Sequence, residues 1–273
     1  MTSRAFDVTV QGRGRPVVLV PGASCGPVVW ASTVARLQDC CELHVLHLAG
    51  FAGRPAIQGP LLATVRAQLV DYLATLGPSR PVLVGHSLGG FFAFALAVDH
   101  PDLLGGAVAV DAVPAFGQQV APGADAAGVE QVATRMHRRS QSLSRDEFRD
   151  QVVASLATMI SDPTQARTIV TEAARSDPRA VADAMLELRL TDLRPRLPRI
   201  TAPVLAVVPL QAELTAGQRA EILAWHRDQL ASIPGHRLVT ISGARHFVMV
   251  DEPAAFCVEV RRFVEVEVDL ALP

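Results

Sequence analysis

A chain of 273 residues, with 49% hydrophobic and 19% charged side chains, carries enough apolar material for one large core or a core with an insert. Its formal net charge of −2 gives no footing to nucleic acid or an anionic membrane surface as a partner. The first residues read as no signal peptide, and no later apolar run is long enough to span a bilayer. Cys25, Cys40, Cys41 and Cys257 show no metal-ligand spacing, and an adjacent pair suits no disulfide framework. Reduced thiols and a cytoplasmic setting are expected.

In chain order, Ala5 to Val10 alternates as an edge strand, and Pro16 to Val20 is an unbroken apolar run, the mark of a strand covered on both faces. Pro21 to Pro27 is a loop of small residues before a helix from Val28 to Leu37. Leu43 to Leu48 is the next strand, ending in the small-residue loop Ala49 to Pro55, and Leu61 to Leu76 is a helix. Val82 to Val84 and Ala107 to Val110 are further buried strands. This alternation predicts a doubly wound, mostly parallel α/β sheet. From about Val113 to Ser176 the rhythm breaks into polar, Ala-rich helical stretches without a strand. The expected organisation is therefore a core of residues 1–112 and 177–273 with a helical cap insert over 113–176, placed above the strand ends where open α/β sheets bind ligands. Arg179 to Leu190 reads as a helix returning to the core, Pro203 to Val208 as a strand, Ala216 to Ala231 as a helix and Arg237 to Ile241 as the last strand. A final helix starts near Pro253, a residue suited to a first turn.

The chemistry centres on Gly85-His86-Ser87-Leu88-Gly89. By composition alone such a G-x-S-x-G arises in roughly one chain in ten of this length, so its context decides. Here a three-residue apolar strand precedes it and an apolar helix follows. Glycines two residues either side of a serine suit a sharp strand-to-helix turn that exposes the hydroxyl beside free helix N–H groups. Ser87 is the candidate nucleophile. A serine hydroxyl needs a base, and the base needs a partner to orient it. Of the eight histidines, His246 lies in a loop just past the last strand, at the same sheet edge as Ser87. His86 abuts the turn and is expected to order it, and His44 and His47 read as packing rather than a metal pair.

The run Val18-Leu19-Val20-Pro21-Gly22, the turn Gly85-His86-Ser87-Leu88-Gly89-Gly90, and His246 before Asp251-Glu252-Pro253 together resemble the α/β-hydrolase fold superfamily over nearly the whole chain. The resemblance implies a serine hydrolase without cofactor or metal, with Ser87 as nucleophile and His246 as base. It implies an oxyanion hole from the N–H groups of Ala23 and Leu88. The chain departs from the family pattern in having Pro21-Gly22 where His-Gly is usual, and no aspartate in the loop His47 to Gly53. The acid is open between two residues. Asp111 ends a buried strand at the active edge and is preferred. Glu213 sits one residue past the usual place after the strand Pro203 to Val208, where Ala212 stands, and is the alternative. The implied substrate is a small or medium ester, thioester or lactone. The alternatives are an N-acyl-homoserine lactonase-like enzyme and a non-catalytic small-molecule receptor on the same scaffold. Phe91, Phe92, Phe94, Phe247 and Met249 are candidate pocket residues, and Arg135, Arg138 and Arg139 read as a solvated helix face. Oligomeric state is left open.

Overall fold

The computed structural model describes residues 4–77 and 79–268. In chain order the elements are β1 (Phe6–Gly12), β2 (Arg15–Val20), a 3₁₀ turn over Pro27–Trp30, α1 (Ala31–Leu37), β3 (Cys41–Leu48) and α2 (Leu61–Ala74). Then come β4 (Val82–His86), α3 (Leu88–Asp99), β5 (Gly106–Val110) and five helices: α4 (Gly117–Val120), α5 (Ala126–Gln141), α6 (Arg145–Ala157), α7 (Pro163–Ala173) and α8 (Pro178–Leu190). A 3₁₀ stretch over Arg194–Arg199 leads to β6 (Val204–Leu210), α9 (Ala216–Leu230), β7 (Arg237–Ser242), α10 (Val248–Asp251) and α11 (Pro253–Arg262), which continues as a π-turn over Phe263–Glu267.

The seven strands form one sheet in the order β1-β3-β2-β4-β5-β6-β7. Only β1 is antiparallel, pairing β3 at the edge from Phe6↔Leu48 to Gly12↔Glu42. The parallel strands are apolar on both faces because helices cover both. Val18, Val20, Leu83, Ala107, Ala109, Val204 and Ala206 pack towards α2 and α3. Their neighbours in sequence, Val17, Leu19, Val82, Val84, Val108, Val110, Leu205 and Val207, pack towards α1 and α11. The period of two along each strand thus feeds two cores at once.

The chain leaves β2 through α1 to reach β3 on one side, then returns through α2 to β4 on the other side of β2. The strand order therefore reverses between β2 and β4, and a crevice opens beyond their carboxyl ends. Registers Val20↔Gly85, His86↔Val110 and Val110↔Val207 bring the loops after β2, β4, β5 and β6 to that one edge. Residues between β5 and β6 contain no strand, as expected, and form the helices α4 to α8. Helix α8 faces both ways. His137 of α5 bonds Asp183 at 2.7 Å, while Glu187 lies by the backbone N–H groups of Leu61, Leu62 and Ala63 at the start of α2. Among the described residues, no helix is long and apolar enough to cross a membrane.

Candidate active site

Ser87 stands between β4 and α3 with φ 52° and ψ −115°, a conformation that costs a non-glycine residue energy and survives only where the surroundings enforce it. The enforcement is visible. Ser87 N–H donates to the Val110 carbonyl at 2.9 Å, and its own carbonyl accepts from Phe91 N–H at 3.1 Å. A Cβ at residue 85 would lie 1.9 Å from the Gly89 carbonyl oxygen, and one at residue 89 would lie 2.1 Å from that of Val20. Only glycine fits either position, which accounts for the spacing seen in the sequence. Leu88 is the first residue of α3, so its N–H has no intrahelical acceptor.

Asp111 follows β5 directly and takes a positive φ of 42°, its N–H bound to the Val207 carbonyl at 2.8 Å. That turn sends its carboxylate to the loop after β7, where His246 Nδ1 lies 2.6 Å from Asp111 Oδ2. A carboxylate oxygen accepts, so the proton of the pair sits on His246 Nδ1 and the basic nitrogen is Nε2. Glu213 does not make this contact. Its side chain is 68% exposed and its nearest charged partner is Arg245, with 3.5 Å between Nη2 and Oε1. Of the two candidate acids, the structure brings Asp111, and not Glu213, to the histidine.

The loop after β2 closes the other side. A Cβ on Gly22 would lie 2.9 Å from His86 Nδ1 and 3.3 Å from Ser87 Cβ, so this backbone passes against the serine. The N–H of the next residue, Ala23, has no acceptor among the described residues. Ser24 takes a φ of 63°, and its carbonyl is fixed by the buried Ser176 hydroxyl at 3.1 Å. Ser176 also accepts Ala52 N–H at 2.8 Å, tying the two small-residue loops together. Ala23 and Ser24 line one end of a cavity of about 180 Å³, whose other walls come from α6 and α8, among them Phe148, Val152 and Met185. Phe91, Phe92, Phe94, Phe247 and Met249, candidates for such a wall, are instead buried in the two cores.

The alpha/beta hydrolase family model matches residues 17–260. The chain belongs to the alpha/beta hydrolase family. A curated relative, the pimeloyl-[acyl-carrier protein] methyl ester esterase of Edwardsiella ictaluri, is 28% identical, with 96% of this chain and 98% of the relative covered. Among solved structures, the enol-lactonase from Burkholderia xenovorans superposes with a TM-score of 0.75 at 19% identity, covering 95% of this chain and 96% of that one. A thermophilic esterase from Thermogutta terrifontis gives 0.75 at 23%, covering 96% and 93%.

In this α/β-hydrolase, three groups around the Asp111–His246 pair were not assigned there from sequence. His86 is fully buried, and its Nε2–H donates to the His246 carbonyl at 3.0 Å, with the two rings 4.4 Å apart. Burial first, and the neighbouring His246 second, hold His86 well below the ordinary imidazole value, so it is a neutral donor. It orders the histidine loop as well as the turn. Asp251 reads in the sequence as a helix start. Its Oδ2 also accepts Arg245 N–H at 2.8 Å, next to His246, and its Oδ1 accepts Ser161 N–H at 2.7 Å, pinning the histidine loop to the segment between α6 and α7. His226, on α9, is buried. Its Nε2 lies 3.9 Å from Asp111 Oδ1, and burial lowers its pKa against the pull of Asp111. The sequence signal for its burial was faint, because α9 shows no clear apolar stripe. His44 is held by Tyr72 at 2.7 Å and Glu42 at 3.0 Å, and His47 by the Phe51 carbonyl at 3.0 Å, the packing roles read from sequence.

Proposed function

We propose that this α/β-hydrolase cleaves small or medium carboxylic esters, thioesters or lactones through an acyl-enzyme on Ser87, with residues 113–176 as a cap over the site. The observation that carries the reading is the 2.6 Å contact of His246 Nδ1 with Asp111 Oδ2 at the sheet edge that also holds the strained Ser87. His246 Nε2 takes the Ser87 proton as Oγ forms a bond to the carbonyl carbon. The Leu88 and Ala23 N–H groups hold the resulting oxyanion. Collapse of the adduct breaks the bond to the leaving alcohol or thiol, which departs with the proton carried by His246. Water then attacks the acyl carbon, gives its proton to His246, and the acid leaves as Ser87 Oγ is reprotonated. Asp111 keeps Nδ1 protonated and stabilises the transient imidazolium.

The ester class is supported by the curated relatives, which are methyl ester esterases. A small or medium acyl group suits a cavity of about 180 Å³, below the roughly 300–1,000 Å³ usual for drug-sized ligands. Four free thiols suit a reducing compartment such as the cytoplasm. The test is steady-state hydrolysis of p-nitrophenyl acetate, butyrate and octanoate by wild type and Ser87→Ala. The variant is expected to lose at least about 10³-fold in kcat with an unchanged melting temperature. Retention of full activity would remove Ser87 from the mechanism and the mechanism with it.

A further inference from the structure

The cavity beside the oxyanion loop has fourteen lining residues, and one of them is charged: Arg189, near the end of α8. Its neighbours there are apolar or neutral, including Ala23, Phe148, Val181, Met185 and Gln151. Two surface arginines between β5 and β6 have carboxylate partners, Arg149 with Asp146 and Arg194 with Asp192. Arg189 makes no ion pair or side-chain hydrogen bond with any described residue, although it is partly buried. Burial alone depresses its pKa, with no acidic group acting against it. A guanidinium taken out of water without a counter-charge is destabilising, and the cost is recovered when a planar anion supplies two parallel acceptors.

We propose that Arg189 is a specificity residue that binds a carboxylate at the far end of the substrate's acyl group, so that the preferred substrates are half-esters of short dicarboxylic acids. The proposal rests on the hydrolase reading above and names its substrate class. The cavity connects the two requirements, since Ala23, the proposed oxyanion donor, lines the same space as Arg189. A single positive charge among neutral walls matches a carboxylate monoanion better than a phosphate dianion, which would leave one charge uncompensated.

The experiment compares p-nitrophenyl butyrate with mono-p-nitrophenyl glutarate, which adds a terminal carboxylate to an acyl chain of similar length. Wild type, Arg189→Gln and Arg189→Lys are assayed, with melting temperatures as the folding control. Arg189→Gln is expected to lose about 10- to 100-fold in kcat/KM on the glutarate half-ester and little on the butyrate. Arg189→Lys, which keeps the charge but not the fork, is expected to fall between. Equal losses on both esters, or an unchanged ratio between them, overturn the proposal. If wild type hydrolyses neither ester, the hydrolase reading fails, and binding then decides the anion site. Glutarate would be titrated calorimetrically into wild type and Arg189→Gln. Binding lost in the variant supports the site, and equal or absent binding in both overturns it.

Discussion

Replacing Asp111 with Asn separates orientation from folding. Asn, like Asp, tolerates the positive φ of 42° that residue 111 adopts, so the backbone turn after β5 survives the change. The side chain keeps its size, but its amide can now donate to His246 Nδ1. Its donation favours the tautomer with the proton on Nε2, the nitrogen that must accept the Ser87 proton. The 2.6 Å charge-assisted bond to His246 is replaced by a neutral one, and the imidazolium loses its counter-charge. An equivalent tautomer error in a serine triad lowers kcat by about 10⁴-fold, which at 1.36 kcal/mol per tenfold is about 5 kcal/mol of barrier. Asp111→Asn is therefore expected to lose 10³- to 10⁴-fold in kcat on p-nitrophenyl butyrate. Its melting temperature is expected to stay within a few degrees of wild type. Glu213→Gln is expected to keep its activity within about twofold, since it removes only an exposed contact with Arg245. If Asp111→Asn kept more than a tenth of kcat while Glu213→Gln lost it, the acid assignment would be wrong. Collapse of both variants with normal folding would mean that the exposed carboxylate moves in during turnover.

Gly22→Ala would force a methyl group to within 2.9 Å of His86 Nδ1 and 3.3 Å of Ser87 Cβ, displacing the loop that presents the Ala23 N–H. A kcat loss of about 10²-fold with native melting is expected, and unchanged turnover would remove this loop from the oxyanion hole. Gly89→Ala, with a Cβ 2.1 Å from the Val20 carbonyl oxygen, is expected to destabilise the fold by about 3 kcal/mol, read by urea denaturation. Asp251→Ala leaves the Arg245 and Ser161 N–H groups without their acceptor, so a loss of about 1–3 kcal/mol in stability is expected. An accompanying fall in kcat would show that the pin serves His246 as well. For pH, His86 and His226 both have folded pKa values below the ordinary imidazole value because of burial. The unfolded chain then binds more protons as pH falls through about 6.5, so stability is full above that value and declines below it. Each unit of depression contributes about 1.4 kcal/mol to that decline. His226→Gln should flatten the stability curve between pH 7 and 5, and curves parallel to wild type would contradict the burial argument.

What the sequence determined by itself is local. The apolar runs at Val17–Val20 and Val82–Val84 specify buried strands because both faces of each are covered, and no polar alternation is possible there. The glycines at 85 and 89 specify the turn because any side chain at either would strike a backbone oxygen within a few residues or on the adjacent loop. Ser87 and His246, the proposed nucleophile and base, could be singled out because each lies just past a recognisable strand. Element ends were less legible: the helix expected from Val28 opens as a 3₁₀ turn at Pro27, and the final helix starts at Pro253 as expected but follows a short helix, α10, and ends in a π-turn. The three features that give the site its character lie across long separations in the chain. Asp111 and His246 are 135 residues apart, and whether Asp111 or Glu213 meets the histidine depends on the parallel register of β5, β6 and β7. That register is set by packing on both faces of the sheet and leaves no mark at residue 111 itself. Likewise, nothing near residues 226 or 189 distinguishes a histidine or arginine on a weakly patterned helix from a solvated one. The burial of His226 follows from α9 packing beside β6 and Asp111, and the partial burial of Arg189 from α8 facing α5 and α6 across the cavity. Only the tertiary structure decided that one lies against Asp111 and the other lines a cavity with Ala23 and Ser24 without a counter-charge.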